Sequence, residues 1–266
     1  MASGAHPAEA FEAEVAVATR RARLAAGALV LTVLVRVYLI PVRVWQSSLV
    51  QAARAGAPPD LATAERSDLL VQGGVIASLA ILLVTGVLFL RWLHRTVKLT
   101  RALGGDGLRF TPRDAVLGFV IPFLNFKRPF EVVRDTHDQL APDAVPEPPM
   151  QVQADELGGY RQVAMRAPPP PAQLPHASIG AWWGFFWASN LVANFASRQE
   201  GHGIDDLLFA NTLGIIADGL DIIAASLGVL MVRGVSARLV ERYRRVRHNP
   251  PETLQAAGIV IGEAAP

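Results

Sequence analysis

The chain has 266 residues, 51% of them hydrophobic and 18% charged, with a formal net charge of +2 and no cysteine. So few charges would leave an ordinary soluble domain short of polar surface. The missing cysteine excludes disulfides, thiolate metal sites and cysteine nucleophiles.

Residues 1–22 form a polar tail. It carries Glu9, Glu12 and Glu14 and has no apolar core, so it does not read as a secretory signal. Arg20, Arg21 and Arg23 then lead into the first of four long apolar runs. These lie at about residues 24–41, 69–93, 178–196 and 212–232, each close to the ~20 residues a helix needs to cross the hydrocarbon core. The pattern predicts an all-α membrane domain over residues 23–240 with four transmembrane helices.

Lysine and arginine fall unevenly between these runs. Twenty of the 25 lie in the N-terminal tail, the Arg91–His176 connection and the chain from Arg233 onward. By the positive-inside rule those segments, and both termini, are cytoplasmic. Trp45 and Trp92 follow the first and second runs, as boundary tryptophans do; Trp182, Trp183 and Trp187 fit either a boundary or helix packing.

Arg91, Arg95, Lys98 and Arg101 recur every three or four residues, which predicts a basic face on the continuing second helix, turned towards anionic lipid headgroups. Gly104-Gly105 should end that helix. Thr111-Pro112-Arg113-Asp114 then reads as a helix start, with threonine as N-cap and proline at the first helical position. The apolar stretch 115–121 is too short to span. Pro122 and Asn125 break it, Lys127 and Arg128 follow, and Pro129 opens an amphipathic stretch through Phe130, Val133, His137 and Leu140. This predicts a short helical element dipping into or lying on the inner leaflet.

The residues from Trp92-Leu93-His94-Arg95 through Arg101-Ala102-Leu103-Gly104 and Leu108-Arg109-Phe110-Thr111-Pro112 resemble a known family. Gly118-Phe119-Val120-Ile121-Pro122-Phe123-Leu124-Asn125-Phe126-Lys127-Arg128-Pro129 and Trp182-Trp183 extend the likeness. Over about residues 69–240 the chain resembles the bacterial membrane proteins of domain of unknown function family DUF4328, with Pro-x-x-Asn-x-x-x-Pro as the most specific element. The resemblance implies a multi-span protein of the bacterial inner membrane and supplies no catalytic residues.

Residues 142–175 hold nine of the nineteen prolines, including Pro168–Pro171, and read as a disordered or polyproline linker. Beyond the fourth run, residues 241–266 read as a basic helical extension that stops at Pro250-Pro251 and then a mobile tail.

Three ionisable residues sit where hydrocarbon is expected: Arg36, Asp218 and Asp221. Insertion scales put each at about 2.5–3.5 kcal/mol at the centre of a span. At about 1.5 Å per residue, Arg36 lies about 10 Å below the outer boundary and the two acids about 9–14 Å below it. Asn190, Asn194 and Gln72 reach similar depth. The expectation is a polar cluster centred on Arg36 with either acid, one arginine facing two carboxylates. It serves either as packing glue or as a site for an ion, proton or small ligand. Small-xxx-small spacings at Gly180/Gly184 and Ala224/Gly228 offer close helix contact.

No metal-ligand spacing, phosphate-cradling loop or HExxH occurs, and Asp218-Gly219-Leu220-Asp221 lacks the second acidic pair of head-group transferases. The expectation is a non-enzymatic scaffold or partner-binding component, without cofactor, metal or nucleic acid. Its partners would be anionic lipid, an unidentified protein or further copies of itself. A small oligomeric transporter or channel built on the Arg/Asp cluster stands as the other reading.

Overall fold

The computed structural model describes residues 11–148, 151–154, 160–163, 174–199 and 203–262. Apart from one short ribbon it is helical: α1 (Glu12–Arg54), α2 (Leu61–Ala102), α3 (Pro112–Val120), α4 (Arg128–Gln139), α5 (His176–Ser197), α6 (Ile204–His248) and α7 (Pro251–Ala256). The ribbon pairs β1 (Gln151–Ala154) antiparallel with β2 (Tyr160–Val163). Three helices, α1, α2 and α6, are long and apolar enough to cross a membrane. The 22 residues of α5 give about 33 Å of helix, but Asn190, Asn194 and three tryptophans dilute its apolar character, which the run of 178–196 did not reveal.

The long helices overrun the apolar stretches that announce them. A limit at Pro41 is incorrect, because α1 passes through that proline and ends at Arg54. Proline removes one backbone donor, and a helix survives that loss where its neighbours hold it. Leu39 and Val42 are both buried on either side of Pro41. Asp60 starts α2 by accepting the Thr63 backbone N–H at 2.8 Å.

The chain divides into two units. The bundle unit comprises Arg23–Phe89 and Pro175–Val232. Within it each helix runs antiparallel to the next. Along α1, Thr32, Leu39 and Gln46 meet Thr85, Gly74 and Asp68 of α2 in turn. Leu29, Arg36 and Arg43 meet Gly228, Asp221 and Asn211 of α6. Phe89 of α2 lies beside Trp182 of α5, ring centroids 5.7 Å apart, and Phe195 of α5 meets Phe209 of α6 edge-on. This is the up-down-up-down order that short connections favour. Gly228 accommodates both Leu29 and Trp182, as a small-residue position should, whereas Gly184 faces open space.

The connector unit holds the chain up to Ala22, Leu90–Leu174 and the chain from Arg233. Gly104 closes α2 at φ 77°, a left-handed conformation that glycine adopts without steric cost. The Thr111 start of α3 is a full capping box, Thr111 and Asp114 bonding each other's backbone N–H. A 3-10 turn over Leu124–Phe126 leads into α4, whose Val133 and His137 are buried.

Two expectations for this unit are corrected. Trp92 is fully buried, its indole N–H donating to Ser236 Oγ at 3.0 Å, so it packs inside rather than marking a boundary. The chain after Pro250 is ordered as far as residue 262: Leu254 and Ile259 are buried, and the Gly262 N–H donates to the Ala102 carbonyl at 3.0 Å. Its apolar side chains were too sparse to signal that packing. The start of the proline-rich linker also packs, with Pro142 and Val145 buried, while Pro168–Pro171 lie outside the described residues.

Candidate functional site

In the bundle unit two arginines of α1 and two aspartates of α6 form one network. Arg36 on α1 donates through Nε to Asp221 Oδ2 at 2.7 Å and through Nη1 to Asp218 Oδ1 at 3.0 Å. Arg43, also on α1, donates through Nε to the other oxygen, Asp218 Oδ2, at 3.1 Å. The two arginines are seven residues apart, about two helical turns, and so share a face of α1. Asp218 and Asp221, three apart on α6, share a face in the same way.

Amides extend the network. Asn211 Nδ2 donates to Gln46 Oε1 at 2.9 Å, and Gln46 Nε2 donates to Asp68 Oδ1 at 3.1 Å. Gly214 leaves room for this layout: a Cβ there would stand 2.6 Å from Arg43 Nη1, so a larger residue would make the guanidinium shift.

Asp218 is almost wholly buried, its side chain 2% exposed, while that of Asp221 is 16% exposed. The difference reflects a cavity of about 330 Å³, lined on its polar side by Arg36, Asp221, Ser78 and Asn190. Val75, Leu79 and Leu82 of α2 and Ala193 of α5 line the apolar side.

A family model described as domain of unknown function DUF4328 matches residues 55–237. The chain belongs to that family. No curated protein and no solved structure matches it. The DUF4328 match takes in Asp218 and Asp221 together with the Pro122–Pro129 element; Arg36 and Arg43 lie N-terminal to it.

Arg36, Asp218 and Asp221 thus come together as the depth argument anticipates. The expected surplus carboxylate is a correction: a second arginine, Arg43, balances the charges two against two. Arg43, Gln46, Asn211 and Asp68 escaped notice because they lie outside the apolar runs, and only the unexpected length of α1 brings Arg43 into register. Asn190 lines the cavity while its Nδ2 donates to the Phe186 carbonyl, and Asn194 donates to the Asn190 carbonyl. Both amides therefore satisfy their own helix. Gln72 is exposed and outside the cavity, which corrects its inclusion.

The basic face of α2 is only partly free. Arg101 donates through Nη2 to the carbonyls of Leu108 and Phe110, at 2.8 and 3.0 Å, and holds the turn after α2 instead of facing lipid. Arg95 pairs with Glu14. Arg91 is exposed, and Lys98 is half-buried. Cations crowd here: burial, then Lys98, Arg21 and Arg95, holds His94 below its ordinary pKa.

Around the 3-10 turn, Pro129 is buried and Pro122 exposed. The Asn125 Oδ1 is buried without a partner. Lys127 pairs with Glu131 at 3.1 Å, and the Arg128 guanidinium lies over the Phe110 ring, 5.3 Å from its centroid. The most exposed large side chain is apolar: Phe123 at 93%, with Phe126, Val120 and Ile121 also exposed. None of these four stood out as a site by composition alone.

Arginines on the last turns of α6 close the connector unit. Arg242 donates to the Leu103, Gly104 and Gln139 carbonyls at 2.7–2.9 Å, capping the ends of α2 and α4 together. Arg238 donates to the His137 carbonyl at 2.9 Å. Arg245 donates to the Pro142 and Val145 carbonyls and to Glu241. Burial pushes the Arg242 guanidinium below its ordinary pKa, and Asp106 opposes the shift. Burial would raise Glu241, but hydrogen bonds from Arg244 and Arg245 outweigh it and leave the carboxyl below the usual range.

Proposed function

We infer that this DUF4328 protein is a four-span component of the bacterial inner membrane, non-enzymatic, with both termini cytoplasmic, serving as a scaffold or partner-binding subunit. The observation that carries the non-enzymatic reading is the double pairing of Asp218, the more deeply buried of the two intramembrane acids. Both Asp218 oxygens accept from arginine, so neither is left to accept a proton in a reaction. Such pairing fixes helix register, the best-attested use of a buried ion pair.

The fourth span rests on level. Trp182 of α5 lies beside Phe89 and Gly228, and Phe195 lies beside Phe209. A helix packed along that length of two apolar neighbours, α2 and α6, shares their depth. The orientation rests on the twenty basic residues of the tails and central connection. The exposed Phe123 and Phe126, beside Lys127, support contact of the 120–128 turn with an inner leaflet rich in anionic headgroups.

A cysteine-free chain makes the test direct. Single cysteines at Ala57 and Arg198 should react with a membrane-impermeant maleimide on intact spheroplasts, and those at Asp106 and Glu252 only after lysis. Protection at position 198 together with labelling at 57 would remove the fourth span. A second reading, a small oligomeric transporter, is favoured by one observation, the cavity beside Arg36 and Asp221. Four helices enclose a small space, so transport would need several copies.

A further inference from the structure

The bundle cavity has features that helix packing does not require. Ser78, on the cavity wall, is only 9% exposed, and its own hydroxyl is buried and takes no hydrogen bond. A buried hydroxyl left unpaired costs about 1–3 kcal/mol, so a helix position that packs against nothing polar would not select it. The ion pair itself is half used. Arg36 employs Nε and Nη1, and Asp221 employs Oδ2, which leaves Arg36 Nη2 as a donor and Asp221 Oδ1 as an acceptor beside it. Asn190 donates its Nδ2 to Phe186 and retains Oδ1 as a second acceptor.

Charge balance decides the class of occupant. Arg36 and Arg43 against Asp218 and Asp221 sum to zero, so any net charge entering this low-dielectric space would lack compensation. A neutral amide or hydroxyl could match the adjacent donor and acceptor, but a zwitterion makes both bonds charge-assisted while adding no net charge. A zwitterion whose anion and cation sit on neighbouring atoms satisfies both. Val75, Leu79, Leu82 and Ala193 line the rest of the space and suit a short aliphatic chain. At about 330 Å³ the cavity lies at the small end of ligand pockets, which run from about 300 Å³.

We propose that the cavity between Ser78, Asn190 and the Arg36–Asp221 pair binds a small aliphatic zwitterion of the α-amino-acid type. Its carboxylate takes Arg36 Nη2, and its ammonium takes Asp221 Oδ1 and Asn190 Oδ1. The site deepens the second reading above by naming a solute class, yet it requires only the four-helix arrangement and not movement across the membrane.

The test is equilibrium binding of radiolabelled L-leucine, L-valine and L-alanine to the full chain in lipid nanodiscs. At least one should bind saturably. For leucine, 4-methylpentanoate and isoamylamine, which each keep one charge, should compete about tenfold more weakly or worse, as expected for loss of a charge-assisted hydrogen bond. Asp221→Asn should lower affinity by at least a similar factor. Because that variant also disturbs the ion pair, Ala193→Leu provides a second arm: it fills the cavity from an exposed position, should leave the melting temperature unchanged, and should abolish binding. No saturable binding of any of the three overturns the proposal. So does equal competition by either half-ligand, or undiminished binding to a folded Ala193→Leu variant. None of these results alters the cysteine-labelling pattern, so the topology stands or falls separately.

Discussion

Arginine bonds carboxylates in both units, and in the connector unit it also bonds backbone carbonyls. In the bundle unit, Arg36 and Arg43 bond carboxylates and the sum of charge is zero. In the connector unit, Arg101, Arg238 and Arg242 bond backbone carbonyls at the ends of helices and turns. The first arrangement keeps charges in an apolar layer, where an unmatched ion is expensive. The second supplies donors to carbonyls that helix geometry leaves unpaired. Basic residues outside the spans are therefore not all surface anchors, although the positive-inside rule counts them as if they were.

The contrast is broken most forcefully at Arg242. Arg242→Ala removes donors from three carbonyls and should destabilise the protein by about 4 kcal/mol in a reversible denaturation assay. Arg242→Lys should recover less than half of that, because an ammonium cannot reproduce the fork that reaches two helix ends. Full rescue by lysine would mean that charge, and not geometry, matters there.

Asp218→Asn comes next, at about 3 kcal/mol, since it strips the anion shared by Arg36 and Arg43. Asp221→Asn should cost about 1 kcal/mol, because the cavity leaves that carboxylate partly exposed. A double-mutant cycle of Arg36→Gln with each acid, read by thermal melting, should give the larger coupling for whichever pair is packing glue. Additive effects at Asp218 would refute a shared network.

Acid separates the units more gently. Glu241 has a folded pKa depressed below its ordinary 4.5, so its stabilising contribution is full above about pH 4.5 and fades as pH falls through the folded value. Melting temperature should drop over that range, and Glu241→Gln should flatten the drop. An unaltered slope would assign the loss to other carboxylates. The smallest effect is expected at Arg109, itself half exposed, because its partner Asp135 also has Arg134 at 3.6 Å: Arg109→Ala should lower the melting temperature only slightly.

Three long apolar helices and the Arg36–Asp218–Asp221 grouping were legible because hydropathy and rise per residue are one-dimensional quantities. The Thr111 capping box was legible because its signal is local. Arg43 was not, since hydropathy ends the first run at Pro41 whereas the helix continues to Arg54. The tail beyond Pro250 was not, since Leu254 and Ile259 are single apolar residues whose burial depends on Ala102 and Gly104, far away in sequence. Arg101 read as a headgroup anchor and Arg242 as part of a basic tail because sequence shows a charge and hides the carbonyl that it meets.

Pro41 lies between the two network arginines, and its lack of an N–H leaves the Val37 carbonyl without its helical partner. The backbone of α1 is therefore one hydrogen bond short at that point. Asp218, bonded by Arg36 on one side of the proline and by Arg43 on the other, ties the two turns together from outside the helix. The carboxylate acts as a splint across the missing backbone bond.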